Sequence, residues 1–173
     1  MFGIEYKCDR CVESETVWEC CIAQYRLHDG REISCFNQPA WCHHCKCVRN
    51  VECIPELFQI EMFLDRLTHA GITPGIRETA EVLDISPEEY FQDQIDGLIA
   101  RLEWRRNRKS SPKCLQCGTS NFDVLKNDAD QALDSFAHPH CGGIFRYVTS
   151  CHFSQASEEI VNSEGEWVET RDR

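Results

Sequence analysis

No run of roughly eighteen apolar residues occurs in this chain, so no membrane-spanning helix is expected. Its first residues, MFGIEYKCDR, hold no apolar core of an export signal, and the expectation is a cytoplasmic protein. Basic residues are scarce: 18 Lys and Arg stand against 29 Asp and Glu, a formal net charge of -11. General attraction to nucleic acid or an anionic membrane is therefore not expected. The thirteen cysteines also leave a gap, with nine between positions 8 and 53, none from 54 to 113, and four from 114 to 151. In a reducing compartment, Cys-x-x-Cys pairs bind metal or catalyse more often than they form disulfides, and an odd count weakens a disulfide framework further.

What is present divides the chain into three segments. Residues 1–53 have β character in IEYKC and TVWECCIAQYRL, with a turn at HDG and a return run REISCF. Residues 54–110 are helical by pattern. Leu57, Ile60, Leu64 and Leu67 recur at three- and four-residue steps between Pro55 and Gly71. Thr73 with Pro74, and Ser86 with Glu89, mark two further helix starts, and Phe91, Ile95, Leu98 and Leu102 line one face of the longest helix. Residues 111–173 alternate again in NFDVL, GIFRYVTSCHF and IVNSEGEWVE, with a turn at Glu164-Gly165. The expected class is α+β: two small antiparallel sheets flanking three helices. ETAEVLDISPEEYF (78–91) has a helix-turn-helix outline, but Pro87, Glu88 and Glu89 would set carboxylates against phosphate, so an ordinary helical hairpin is expected.

The chemistry lies in four short turns. CDRC supplies Cys8 and Cys11, CHHC supplies Cys42 and Cys45, and thirty residues separate the pairs. A Cys-x-x-Cys turn points both thiolates at one place, and two such turns complete a tetrahedron. CLQCG supplies Cys114 and Cys117, and in HPHCGG His138 takes the position of a first cysteine ahead of Cys141. Grouping neighbours in sequence gives two sets, Cys8, Cys11, Cys42, Cys45 and Cys114, Cys117, His138, Cys141. Gly118 and Gly142 follow their turns with permissive backbone. His140, adjacent to Cys141, is not expected to reach the same ion. Two zinc ions per chain are expected, with iron an alternative for the four-cysteine set.

The pairing of CLQCG with HPHCGG resembles the zinc-ribbon fold group, and the layout is similar to bacterial proteins of unknown function with a ribbon at each end. The resemblance covers roughly residues 1–53 and 111–170 and implies structural zinc; it is silent on biology. Val12 departs from it, standing where glycine is usual. Cys20, Cys21, Cys35, Cys47, Cys53 and Cys151 read as reduced, packed thiols, with Cys47 a substitute for Cys42 or Cys45. His43 and His44 read as surface groups.

Two complete four-ligand sets leave no open coordination position, so a thiol or zinc enzyme is the least favoured function. The expected function is a non-enzymatic, zinc-stabilised module that binds a protein, a basic one given the charge. The alternative is a nucleic-acid accessory role for RLEWRRNRKSSPK (101–113), which carries +5 against -16 for the rest. There Arg101, Trp104, Arg105 and Arg108 would offer cationic and stacking groups. Those same charges also suit the C-terminal end of a helix macrodipole and acidic groups of their own chain.

Overall fold

A computed structural model describes residues 2–18, 22–125, 135–152 and 157–172. Its elements run β1 (Phe2–Cys8), β2 (Ser14–Trp18), β3 (Ile22–Arg26), β4 (Glu32–Ser34), β5 (Asn37–Cys42), β6 (Cys47–Glu52), α1 (Leu57–Ala70), α2 (Pro74–Leu83) and α3 (Pro87–Asn107). They continue with β7 (Phe122–Val124), β8 (Ser135–His138), β9 (Gly143–His152), β10 (Ser157–Asn162) and β11 (Trp167–Asp172). The class is α+β. The chain divides into two compact units, one made of residues 1–54 with 110–173 and the other of 55–109.

The terminal segments are thus interleaved in one unit, not separate ribbons. In its first sheet, ordered β2-β1-β9-β8, an N-terminal hairpin pairs edge to edge with a C-terminal one. The second sheet is ordered β11-β10-β3-β4, and β10 runs parallel to β3. The third, β6-β5-β7, again mixes the two ends of the sequence. The stretch TVWECCIAQYRL, with its β character, divides between two sheets: β2 belongs to the first and β3 to the second. Cys20 and Cys21, between them, lie outside the described residues.

One apolar cluster of this unit joins Ile4, Tyr6, Val17, Trp41, Val48, Phe136 and Phe145 with Cys8. Phe136 stacks on Phe145 with centroids 5.0 Å apart, and Tyr6 meets Phe136 edge-on at the same distance. A second cluster joins Ala40, Cys42, Val51 and Cys114. Thiols occupy both clusters, so the cores are built around sulfur as well as hydrocarbon.

In the helical unit the local signals act as their chemistry dictates. The Thr73 hydroxyl accepts the Ile76 N–H, and the Ser86 hydroxyl accepts the Glu89 N–H at 3.1 Å, each satisfying a donor in the first turn. Asp84 ends α2 in left-handed backbone, φ 56° and ψ 42°, a conformation Asp tolerates better than most residues. Ile60 of α1 and Ala80 of α2 are buried, and Leu57, Leu64 and Leu67 are half-buried on the Ile60 face.

Candidate metal centres

Each of the four turns sits where strand geometry puts it. β1 ends at Cys8, and β9 pairs antiparallel with it so that Cys8 faces Phe145. The turn after β1 and the turn between β8 and β9 therefore lie side by side. β5 ends at Cys42, which faces Phe122 of β7, and Val51 of β6 bridges to Cys114. This brings the CHHC and CLQC turns together.

The eight expected ligand residues accordingly meet in two sets, but not in the sets that sequence proximity suggests. Cys8 and Cys11 join His138 and Cys141, while Cys42 and Cys45 join Cys114 and Cys117; within each set the donor atoms all lie within 4.8 Å of one another. The grouping of Cys8 and Cys11 with Cys42 and Cys45 is corrected. The pairing is nested, first turn with fourth and second with third, because β1 pairs with β9 and β5 with β7. The set made of four cysteines is the one holding Cys42 and Cys114.

The distances suit a tetrahedral ion. Sulfur at about 2.3 Å and nitrogen at about 2.0 Å from zinc stand roughly 3.5–3.8 Å apart along the tetrahedron's edges. Here Cys8 Sγ lies 3.4 Å from Cys141 Sγ, Cys11 Sγ lies 3.7 Å from Cys141 Sγ, and His138 Nδ1 lies 3.5 Å from Cys11 Sγ and 3.2 Å from Cys141 Sγ. In the other set Cys42 Sγ and Cys117 Sγ are 3.6 Å apart. Backbone N–H groups point at the sulfurs: Arg10 N to Cys8, Cys45 N to Cys42 and Gly143 N to Cys141, at 3.4, 3.5 and 3.4 Å. Such donors favour thiolate.

Proton affinities show the same logic. Burial opposes ionisation of Cys8, but the Arg10 N–H, with His138 and Cys141, outweighs it and lowers the thiol to about 6. The Glu13 N–H favours the Cys11 thiolate, yet burial and the Cys8 and Cys141 sulfurs push that thiol up to about 11. Burial likewise pushes Cys114 up to about 12 and raises Cys45. Four sulfurs cannot all be anionic this close together unless a cation sits among them. Both donor sets thus fit a thiophilic divalent metal.

Three of the turns close alike. Lys46 N donates to Cys42 O, Gly118 N to Cys114 O and Gly142 N to His138 O, at 2.8, 2.8 and 2.9 Å. The donating residue has φ 58°, 72° and 67° respectively. Val12 does not enter that region, and the first turn closes through Cys8 N to Glu13 O at 3.0 Å. A β-branched residue resists left-handed backbone, which accounts for the different closure. Gly143 is required for space: a Cβ there would come within 2.6 Å of Cys8 Sγ.

His138 is 1% exposed. Its ring packs against Trp41, centroids 5.1 Å apart, and Phe145, 4.5 Å apart. Trp41 precedes Cys42 on β5, so this strand contributes a residue to each donor set's surroundings. Nε2 of His138 lies 3.1 Å from a Glu13 carboxylate oxygen, and Glu13, His138 and His140 form a further cluster of donors. Neither Trp41 nor Glu13 carries a motif that marks it in the sequence.

Cys47 belongs to neither set, Cys35 is buried, Cys151 is half-buried and Cys53 is exposed, so Cys53 is not the packed thiol expected. His43 is half-exposed with Nε2 2.9 Å from Asp123, and His44 is exposed. In the helical unit Arg101, Trp104 and Arg108 are buried. Arg105 Nε donates to Pro55 O at 2.9 Å and Arg106 pairs with Glu61 at 3.0 Å. Among the described residues no helix is long and apolar enough to cross a membrane. No family profile, curated protein or solved structure matches this chain.

Proposed function

We propose that this protein is a non-enzymatic interaction module whose β unit is held together by two structural zinc ions. The observation that supports this most is closure: each set offers four protein donors, which fills the tetrahedron zinc prefers and leaves no position for water or substrate. Zinc would be held by Cys8, Cys11, His138 and Cys141 and by Cys42, Cys45, Cys114 and Cys117. It would act by cross-linking distant parts of the chain. Structural zinc binds with about 10–16 kcal/mol, as much as the stability of a whole domain.

The surface for a partner is sought where apolar side chains meet acidic ones. On α1, Phe58, Met62 and Phe63 are exposed, with Phe58 and Met62 one turn apart and Glu61 and Asp65 beside them. On α2, Val82 and Leu83 are exposed among Glu78, Glu81 and Asp84. A protein partner presenting apolar and basic groups would complement this unit. The arginine–tryptophan stretch is less suited to stacking on bases, since Trp104 and two of its arginines are buried.

Elemental analysis of freshly purified protein is expected to give about two zinc per chain, and one or none would remove the reading. Native capture with and without nuclease, repeated with Phe58→Asp and Phe63→Asp, tests the partner. A nuclease-resistant protein lost from the variants is the expected result. Recovery of nucleic acid instead would favour the 101–113 stretch.

A further inference from the structure

The imidazole of His138 poses a problem that its walls do not solve. Trp41 and Phe145 pack against the ring, but these apolar contacts do not distinguish one edge of the ring from the other. Turning the ring over in place would carry Nδ1 away from Cys11 and Cys141 and present carbon there. A buried polar ring of this kind needs a polar partner on its far edge.

Glu13 is placed to be that partner. Nε2 of His138 is buried and makes no aligned hydrogen bond; Glu13, two residues after Cys11, places Oε2 3.1 Å from it, where a small turn of the carboxylate completes one, while Nδ1 faces the sulfurs of Cys11 and Cys141 at 3.5 and 3.2 Å. His138 is 1% exposed and Glu13 is 51% exposed at its side chain, so the carboxylate bridges from solvent to the sealed side of the centre. We infer that Glu13 is a positioning residue for the three-cysteine, one-histidine centre: its carboxylate accepts the Nε2 proton of His138 and so holds Nδ1 toward the metal. This rests on the reading of that set as a metal centre. Partners of this sort also make the ring a better ligand, and losing one costs about 10–100-fold in metal affinity.

Glu13 acts through its side chain alone in this respect. Its backbone carbonyl closes the first turn by accepting Cys8 N–H at 3.0 Å, and that bond survives any change of side chain. His140 is the competitor for the carboxylate, because its donor atom, that of Glu13 and that of His138 lie within 4.8 Å of one another. The same three residues could hold a second ion only if His138 bridged two metals through both nitrogens, having lost its ring proton. The positioning role needs no such deprotonation.

The test compares wild type, Glu13→Ala and Glu13→Gln in the full chain. Zinc affinity of each centre is read by competition with a chromophoric chelator, and the His138 Nε2 proton is read by NMR. For Glu13→Ala, zinc in one centre should weaken about 10–100-fold while the four-cysteine centre keeps its affinity, which shows that the variant is folded. The Nε2 proton, protected in wild type, should then be lost to exchange with water. Glu13→Gln keeps an accepting oxygen and should restore the proton signal and most of the affinity. Glu13→Ala with affinity within twofold of wild type and an unchanged proton signal would overturn the inference. So would a third zinc equivalent in wild type that vanishes in both Glu13→Ala and His140→Ala, since Glu13 would then be a ligand itself. Wild type with no metal in this set would overturn the centre and the inference together, and is told apart because no variant is needed to see it.

Discussion

Lys46 holds backbone that glycine holds at the two matching places. After the second ligand of each of three turns, the chain must bend so that its next N–H reaches back to the first ligand's carbonyl, which demands positive φ: 58° at Lys46, 72° at Gly118 and 67° at Gly142. An L side chain in that region costs roughly 1–2 kcal/mol, part of which glycine gives back through its greater freedom when unfolded. Lys46→Gly should therefore stabilise the metal-loaded protein by about 0.5–1 kcal/mol in reversible denaturation. The lysine side chain is exposed. A loss of stability would mean that its ammonium matters to the anionic four-thiolate centre beside it.

Among the elements, the ligands were legible in the sequence and their partnership was not. A Cys-x-x-Cys turn announces itself because two thiolates at that spacing point to one place, and HPHC has the same spacing with imidazole for thiolate. Helix starts at Thr73 and Ser86 were legible for a similar reason, since a capping hydroxyl acts within three residues. Which turn meets which depends on strand pairing across the whole chain, β1 with β9 and β5 with β7, and no short window records that. Sixty-eight residues lie between Cys45 and Cys114. Of these, 55 to 109 belong to the helical unit, which leaves only thirteen, close to the roughly 15–20 usual between zinc-binding pairs. Without the helical unit, the spacing of the inner donor set would be close to that of ordinary metal-binding pairs. Double variants separate the two groupings without any structure. Cys8→Ser with Cys141→Ser should remove one zinc per chain, because both residues serve one ion. Cys8→Ser with Cys42→Ser should remove two. Elemental analysis giving the reverse would restore a ribbon at each end.

At the scale of the molecule the insertion has a definite seam. Glu52 N donates to Lys113 O at 2.9 Å, Lys113 N donates to the Glu52 carboxylate at 2.7 Å, and Val51 bridges to Cys114. Glu52 is fully buried, and Gly165 lies so close that a Cβ there would strike its carboxylate. The Ser110 hydroxyl donates to Glu164 O at 3.1 Å, so the returning chain is tied to the β10–β11 turn before it reaches the ligand Cys114. Departure and return are therefore fixed within the β unit itself, by bonds that owe nothing to residues 55–109. Both donor sets that could hold a metal lie wholly in that unit as well. Replacing residues 55–109 by a flexible linker of about four to six residues, an ordinary loop length, should leave a chain that still takes up two zinc ions. It should also melt cooperatively and unfold when a chelator removes the metal. Under the proposed function the same deletion removes the exposed Phe58, Met62 and Phe63, so the shortened protein should keep its zinc and lose its partner. Loss of both metals on deletion would show instead that the helices are part of the metal-bearing fold, and the division into a metal scaffold and a binding insert would fail.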